Sequence, residues 1–519
     1  MRSDYTMRRP LIVLAAALLT VTGLAFAAEP PSTTMPLNLG APPSGSDLPD
    51  MGSPASTVLS HQDEYRLGAM VAKELRDQNA LIEDPEVSEY INGVGDRLAA
   101  QSQDGARDFQ FFVIKDSTIN AFAVPGGYVF VHAGLFLATT SESELASVMA
   151  HEIAHVTQHH IARQLRAQST QQMTSIAAML GAIILGAVSG GQAAEGAIAA
   201  AQGMSIQSQI NFSRETESEA DRVGIGYLAA AGYEPNAMGS FFEIMSRHEG
   251  LTVTYIPAIL IDHPVTTDRI AEAKARAAHY PARKGQDSQS YELIRERVRV
   301  LDPDATDLAA YYEHHIASDH GTLGDRYGLA LVLMNTNHAE EAVKQLSALV
   351  QQHEDLTLLY VALAQAQGKA GHVKESLATF QRAQQLFPRN VPVTVRYAEA
   401  LMANGQPGEA HAKLLDLFNN VPPTPDQIRL TALAASAAND PGDAYFYMGE
   451  YQIASGDLNL AAQQFQLALA SPHITQIQRQ RYQARLDEVR DYLMSMRKRQ
   501  IADNGDGQGQ QGQQGHGGH

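Results

Sequence analysis

Residues 151–155 read His-Glu-Ile-Ala-His. Helical positions four apart are separated by about 400° of rotation, so His151 and His155 stand about 40° apart on one face. Two imidazoles so placed can bind one metal ion. Glu152 is turned about 100° from His151, beside such an ion and not on it. A carboxylate there can accept a proton from a water that zinc has acidified, which hydrolysis near neutral pH requires. The chain holds 19 His in 519 residues, and the pattern would arise by chance only about 0.04 times in such a sequence. The preceding stretch, 145–150, is apolar and small. Placing two His and a Glu on a helix otherwise built for burial is costly without a purpose. The bland alternative, two solvated His on an amphipathic helix, fits that flank poorly.

A catalytic zinc takes three protein ligands and keeps one position open. A metzincin-type extension would need Gly at 158 and His at 161, where this chain has Gln158 and Ile161. His159 lies two turns from His151 and reads as a residue beside the site or on the surface. Downstream, 214–222 read Arg-Glu-Thr-Glu-Ser-Glu-Ala-Asp-Arg. Glu217 and Asp221 are four apart and share a helical face. One can ligate metal while the other bonds a ligating His. Taken alone, this run reads as a solvated charged face. Cysteine is absent, which excludes thiolate metal sites, disulfides and a thiol nucleophile.

These residues need elements to position them. Ser141 is placed to cap a helix over 142–164. Helical periodicity also covers 65–77, 85–101, 214–231, 235–248 and 269–278. Strands are expected over 109–115 and 128–132, with Val124-Pro125-Gly126-Gly127 as the turn before the second. His263-Pro264 interrupts regular structure. The apolar run 176–188 is too short to span a bilayer and leads into a Gly/Ala-rich stretch ending near Gly203. A buried helical hairpin, a mobile flap over a site, and a surface that dips into a membrane all fit it.

Hydrophobic residues make up 44% of the chain and charged residues 18%, a globular composition with ample material for a core. The net charge of −19 argues against nucleic acid or an anionic membrane as the main partner. Arg8 and Arg9 precede an apolar run over 11–26 that ends in Ala25-Phe26-Ala27. That pattern predicts a secretory signal peptide, 1–27, cleaved after Ala27, and an extracytoplasmic protein. The rival is an uncleaved N-terminal anchor. Residues 28–56 read as a Pro/Ser/Gly-rich linker, and the Gly/Gln-rich end, 498–519, as a disordered tail.

The C-terminal part repeats itself. A small residue recurs at Ala330, Ala364 and Ala398, and again at Gly449. The turn position recurs at Asn337, Gly371, Gly405 and Gly456. A second helix repeats Ala342, Ser376, Ala410 and Ala461, followed by Leu346, Phe380, Leu414 and Phe465. The first three units keep a step of 34 residues, and a helical insertion near 426–438 precedes the fourth. The period and pattern resemble tetratricopeptide repeats, whose units stack into a solenoid with a concave groove suited to polypeptide.

The His151–His155 motif followed by Glu217-Ser218-Glu219-Ala220-Asp221 resembles the zinc endopeptidases that include the CAAX prenyl endopeptidase and the HtpX-type heat-shock protease. Asn120-Ala121-Phe122-Ala123-Val124-Pro125-Gly126-Gly127, His263-Pro264 and Arg269-Ile270 are similar to the same family. The resemblance covers about residues 60–500. With a leader and C-terminal repeats, the chain is most similar to the periplasmic branch concerned with outer-membrane β-barrel proteins. The implied fold is mainly α. An α+β zincin-type metallopeptidase domain with a small sheet occupies 57–300, and an α-solenoid of tetratricopeptide repeats occupies 305–497. The implied activity is that of a gluzincin-type zinc metalloendopeptidase with one Zn2+ per chain. His151, His155 and Glu217 match the metal ligands, Glu152 the general base and Asp221 the supporting carboxylate. Asn120, Ala121, Phe122 and Ala123 match an edge strand that pairs with substrate backbone. His263 matches a loop His that can fill the open zinc position and hold the enzyme latent. Read by itself, His263 fits an oxyanion stabiliser or an ordinary loop residue equally well. The implied partners are misassembled or stalled outer-membrane β-barrel proteins and their assembly machinery. No comparable membrane spans follow the leader, so prenylated substrates are not implied, and membrane contact is at most peripheral. A chaperone or assembly scaffold with latent proteolysis is the alternative function.

Overall fold

The computed structural model describes residues 61–102, 109–167, 214–251, 259–260, 263–282, 287–318 and 321–511. The expected leader, the linker, the apolar segment 176–203 and the tail residues 512–519 lie outside them. Among the described residues, no helix is long and apolar enough to cross a membrane.

The chain opens with α1 (His61–Asp77) and α2 (Pro85–Ala99). Asp84 caps α2 by accepting the Val87 N–H at 3.1 Å, and Pro85 sits in the first turn, where its missing N–H costs nothing. Three short strands follow: β1 (Gln110–Ile114), β2 (Ala121–Val124) and β3 (Tyr128–His132). The sheet order is β1-β3-β2, with β1 parallel and β2 antiparallel to β3. Gly126 and Gly127, at φ of 90° and 85°, make the β2–β3 turn that a side chain would strain. Strand alternation sorts the faces. Phe112 and Phe122 stack on Phe130 at 5.1 Å on the side that meets α1. Phe111, Val113, Val129 and Val131 point into the main core.

That core is organised around α4 (Glu142–Thr157), which follows the short α3 (Ala133–Ala138). All residues of α4 are buried. Around it stand α5 (His160–Ala167), α6 (Arg214–Ala230), α7 (Ala237–Leu251), α8 (Thr267–Ala277) and α9 (Gln289–Leu301). The expected unbroken helix over 142–164 is corrected: it stops at Thr157 and restarts at His160, because His159 adopts a left-handed φ of 52°.

After α10 (Leu308–Ala317), antiparallel helix pairs build a solenoid. They are α11 (Leu323–Asn335) with α12 (Ala339–Gln352), α13 (Thr357–Lys369) with α14 (Val373–Leu386), and α15 (Val391–Ala403) with α16 (Pro407–Phe418). A lone helix, α17 (Pro425–Ala437), precedes α18 (Pro441–Ala454) and α19 (Leu458–Ala470). The repeated columns explain the packing. Ala330, Ala364, Ala398, Ala342, Ala410 and Ala461 are fully buried where paired helices cross. At Gly449 a Cβ would meet the Phe465 ring at 2.5 Å. Asn337, Gly371, Gly405 and Gly456 all take positive φ between 67° and 84° to turn one helix into the next. The last helix is α20 (Gln476–Gln511), whose backbone runs on past residue 498. Tyr482, Leu486 and Val489 anchor it in a buried cluster, and a helix once nucleated extends one residue at a time without a new nucleation cost.

A buried ionic cluster joins the two parts. Arg297 on α9 holds the Asp84 carboxylate bidentately at 2.7 and 2.8 Å and lies 3.1 Å from Glu86. Arg396, from repeat helix α15, reaches the same carboxylates at 2.8 and 2.9 Å. Burial opposes ionisation of Asp84, but Arg297 and Arg396 outweigh it and hold its carboxyl far below the usual range. Arg297→Met would leave the two carboxylates with a single arginine. We expect it to destabilise the chain by about 3–5 kcal/mol, read from the urea unfolding midpoint. A loss under about 1 kcal/mol would mean that water screens the cluster.

Candidate metal centre

The Ser141 side chain accepts the Glu144 N–H at 3.1 Å and starts α4 as the sequence predicts. Helix α6 crosses α4 closely at Gly224, where a Cβ would lie 3.1 Å from the Ala150 carbonyl oxygen. That close approach brings Glu217 and Asp221 over the turn carrying His151.

Four donors converge. Nε2 of His151 and Nε2 of His155 are 2.9 Å apart. Glu217 places Oε1 3.4 Å from His155 Nε2 and Oε2 3.6 Å from His151 Nε2. His263 adds Nδ1, 3.0 Å from Glu217 Oε1 and 3.4 Å from His151 Nε2. All four ligand atoms lie within 4.8 Å of one another, and all four residues are buried. A tetrahedral ion with bonds near 2.1 Å holds its donors about 3.4 Å apart, so one such ion fits this cluster. Three imidazoles and a carboxylate are also the donor types that zinc prefers in a chain without cysteine.

The outward nitrogens are held as well. His151 Nδ1 faces Asp221 Oδ1 at 3.0 Å. Arg269 grips Asp221 through two bonds at 2.9 and 2.8 Å, lies 2.9 Å from Glu217 Oε2, and donates to the Pro264 carbonyl at 2.8 Å. His155 Nδ1 meets His160 Nδ1 at 2.9 Å, and His160 Nε2 meets Glu219 Oε2 at 3.2 Å. Glu219 in turn accepts from Arg163 at 2.8 Å.

The electrostatics follow from burial set against these contacts. Burial would raise the Glu217 carboxyl, but His263, His151 and His155 hold it well below its ordinary range. Burial would lower His151, but Asp221 and Glu217 push it up to about 10. The carboxylates thus call for positive charge at this spot, which a divalent ion supplies. Burial keeps His155 well below its usual value, only partly opposed by Glu217, so its imidazole stays neutral as a ligand must. Glu152 is raised by burial, with His263 and His151 pulling the other way. It stands beside the cluster, with Oε1 3.7 Å from His263 Nε2. An apolar pocket lined by Met238, Phe241, Phe242, Met245, Ile259 and Val265 opens against His151 and Glu152.

The structure therefore gathers His151, Glu152, His155, Glu217, Asp221 and His263. The expected edge residues also adjoin them. β2 is an outer strand of the described sheet, and His132 donates to the Asn120 carbonyl at 3.0 Å. Antiparallel alternation then turns the N–H groups of Ala121 and Ala123 away from β3, while Phe122 pairs with Phe130. One outward group is engaged: Asn120 Oδ1 accepts the Ala121 N–H at 2.9 Å. Sequence reasoning did not assign Arg269 a role and missed His160. Arg269 had a signal in the Arg269-Ile270 resemblance. His160 had none, because on an unbroken helix it would point about 140° away from His155.

A model of peptidase family M48 matches residues 85–277. The chain is 33% identical over 462 residues to the "Beta-barrel assembly-enhancing protease" of Escherichia coli K12, covering 86% of this chain and 92% of that one. It is 30% identical to the Yersinia pestis protein of that name, covering 90% and 97%. A Vibrio cholerae relative is 34% identical over 447 residues, 85% of this chain and 92% of its own length. With the buried donor cluster and the helical repeats beside it, these likenesses show that the chain belongs to the beta-barrel assembly-enhancing protease group of peptidase family M48.

Proposed function

We propose that the protein is a periplasmic zinc endopeptidase that removes misassembled outer-membrane β-barrel proteins and supports the assembly of others. The observation that carries this reading is the buried cluster of His151, His155, Glu217 and His263, with Glu152 beside it. His151, His155 and Glu217 would hold a zinc ion, which when bound would supply Lewis acidity for a peptide carbonyl and for water. Glu152, whose proton affinity burial raises, stands where it would take a proton from an attacking water and return it to the leaving amine. Asp221 and Arg269 fix the His151 ring. Ala121 and Ala123 offer backbone groups to an extended substrate, that of Ala121 once Asn120 releases it. The leader pattern supports the periplasm, and the relatives' names support β-barrel proteins and their assembly machinery as partners. The solenoid groove is the docking surface of this reading.

His263 gives the site a second property. A fourth protein donor takes the position that water and substrate need, so the enzyme rests latent. The same observation favours the second reading, a chaperone or assembly scaffold whose proteolysis is kept in reserve.

Glu152→Gln should lower cleavage of an unfolded outer-membrane barrel protein by about 10²–10⁴-fold while retaining one zinc per chain. Undiminished cleavage would remove Glu152 from its role. Full support of outer-membrane assembly by the same variant in cells would favour the scaffold. His263→Ala should increase self-cleavage and casein cleavage. Unchanged or lower cleavage with zinc retained would assign His263 a spectator or catalytic part instead.

A further inference from the structure

We infer that His160 is a positioning residue for the metal centre, an imidazole that holds the ligand His155 through its far nitrogen. The inference rests on the zinc reading above and concerns how this chain presents one ligand.

The geometry is a chain of contacts. His155 turns Nε2 into the cluster, 2.9 Å from His151 Nε2 and 3.4 Å from Glu217 Oε1. Its Nδ1 lies 2.9 Å from His160 Nδ1. His160 Nε2 lies 3.2 Å from Glu219 Oε2, which is held by Arg163 at 2.8 Å. His160 is fully buried. Only one assignment of protons satisfies this line with a metal on His155 Nε2. His155 Nδ1–H donates to an unprotonated His160 Nδ1, and His160 Nε2–H donates to Glu219. A ligating His commonly donates its second N–H to a carboxylate or carbonyl. His151 sets its Nδ1 directly against a carboxylate, 3.0 Å from Asp221 Oδ1. His155 reaches its carboxylate, Glu219, through His160.

The backbone is built to permit this. His159 takes a left-handed φ of 52° between α4 and α5. That turn carries His160 back beneath His155, where a continuous helix would have swung it to another face. Strain of this kind persists where the surroundings over-determine it.

The test is zinc affinity by chelator competition on the full chain, with the absorption spectrum of the cobalt-substituted protein as a second readout. His160→Phe keeps the ring and removes both polar nitrogens. It should weaken zinc binding about 10–100-fold and alter the cobalt bands. His160→Asn puts Oδ1 where Nδ1 was, so it keeps the acceptor for His155 and should recover most of the affinity. Zinc binding by His160→Phe within about twofold of wild type would overturn the inference. So would equal losses in the Phe and Asn variants, since volume alone would then explain them. If the Phe variant does not fold, Glu219→Gln at the rim carries the test. It should weaken zinc binding measurably, and unchanged binding would overturn the inference. Absence of zinc from wild type would instead defeat the protease reading, so the two failures are distinguishable.

Discussion

His151, Glu152, His155, Glu217 and His263 are each at most 6% exposed to solvent. Grouping that much ionisable material in a medium of low dielectric is unfavourable unless opposite charges stand close by. The surrounding architecture answers that constraint. Arg269 stands between Asp221 and Glu217 and balances both. Gly224 lets α6 come near enough for its carboxylates to reach the imidazoles. The fully buried α4 keeps water from competing for the same contacts. A divalent ion completes the balance, because the carboxylates of Glu152, Glu217 and Asp221 against the one guanidinium of Arg269 leave the ionised site short of positive charge.

The donors were legible in the sequence because they obey one rule. Residues four apart share a face, and His151/His155 and Glu217/Asp221 each satisfy it within a single helix. The repeats were legible for a related reason: close helix crossings need small residues, so Ala330, Ala364 and Ala398 recur at a fixed step. What was not legible depends on departures from regular structure. His160 joins the site only because His159 leaves the helical region, and nothing in the local composition announces that break. The extension of α20 past residue 498 is the converse case. Its anchor is in Tyr482, Leu486 and Val489, well before the Gly/Gln-rich end. The buried pairing of Arg297 and Arg396 with Asp84 and Glu86 joins residues more than 200 positions apart, beyond the reach of any periodic pattern.

That distant pairing bears on how the two parts of the chain act together. Arg396 sits on repeat helix α15, and its partners Asp84 and Glu86 lie at the start of α2. Helix α2 shares a core with α4, through Val87, Ile91, Val94 and Leu98 on one side and Leu145 and Met149 on the other. A continuous path of packed helices thus runs from the solenoid to the helix that carries His151, Glu152 and His155. Such a path transmits a change only if some element along it has two stable arrangements. The ionic cluster is a poor candidate, since parting buried charges is expensive. The loop at His263 is a better one. Its described backbone bonds are few and local, the His263 N–H to the Ile259 carbonyl at 2.8 Å and Arg269 to the Pro264 carbonyl at 2.8 Å, its ring rests on Glu217, and Thr266 caps α8 directly after it. Rigid coupling through α2 and a small movement at His263 are therefore compatible: under the proposed function the first would fix where a docked chain meets the site, and the second would decide whether the site is open.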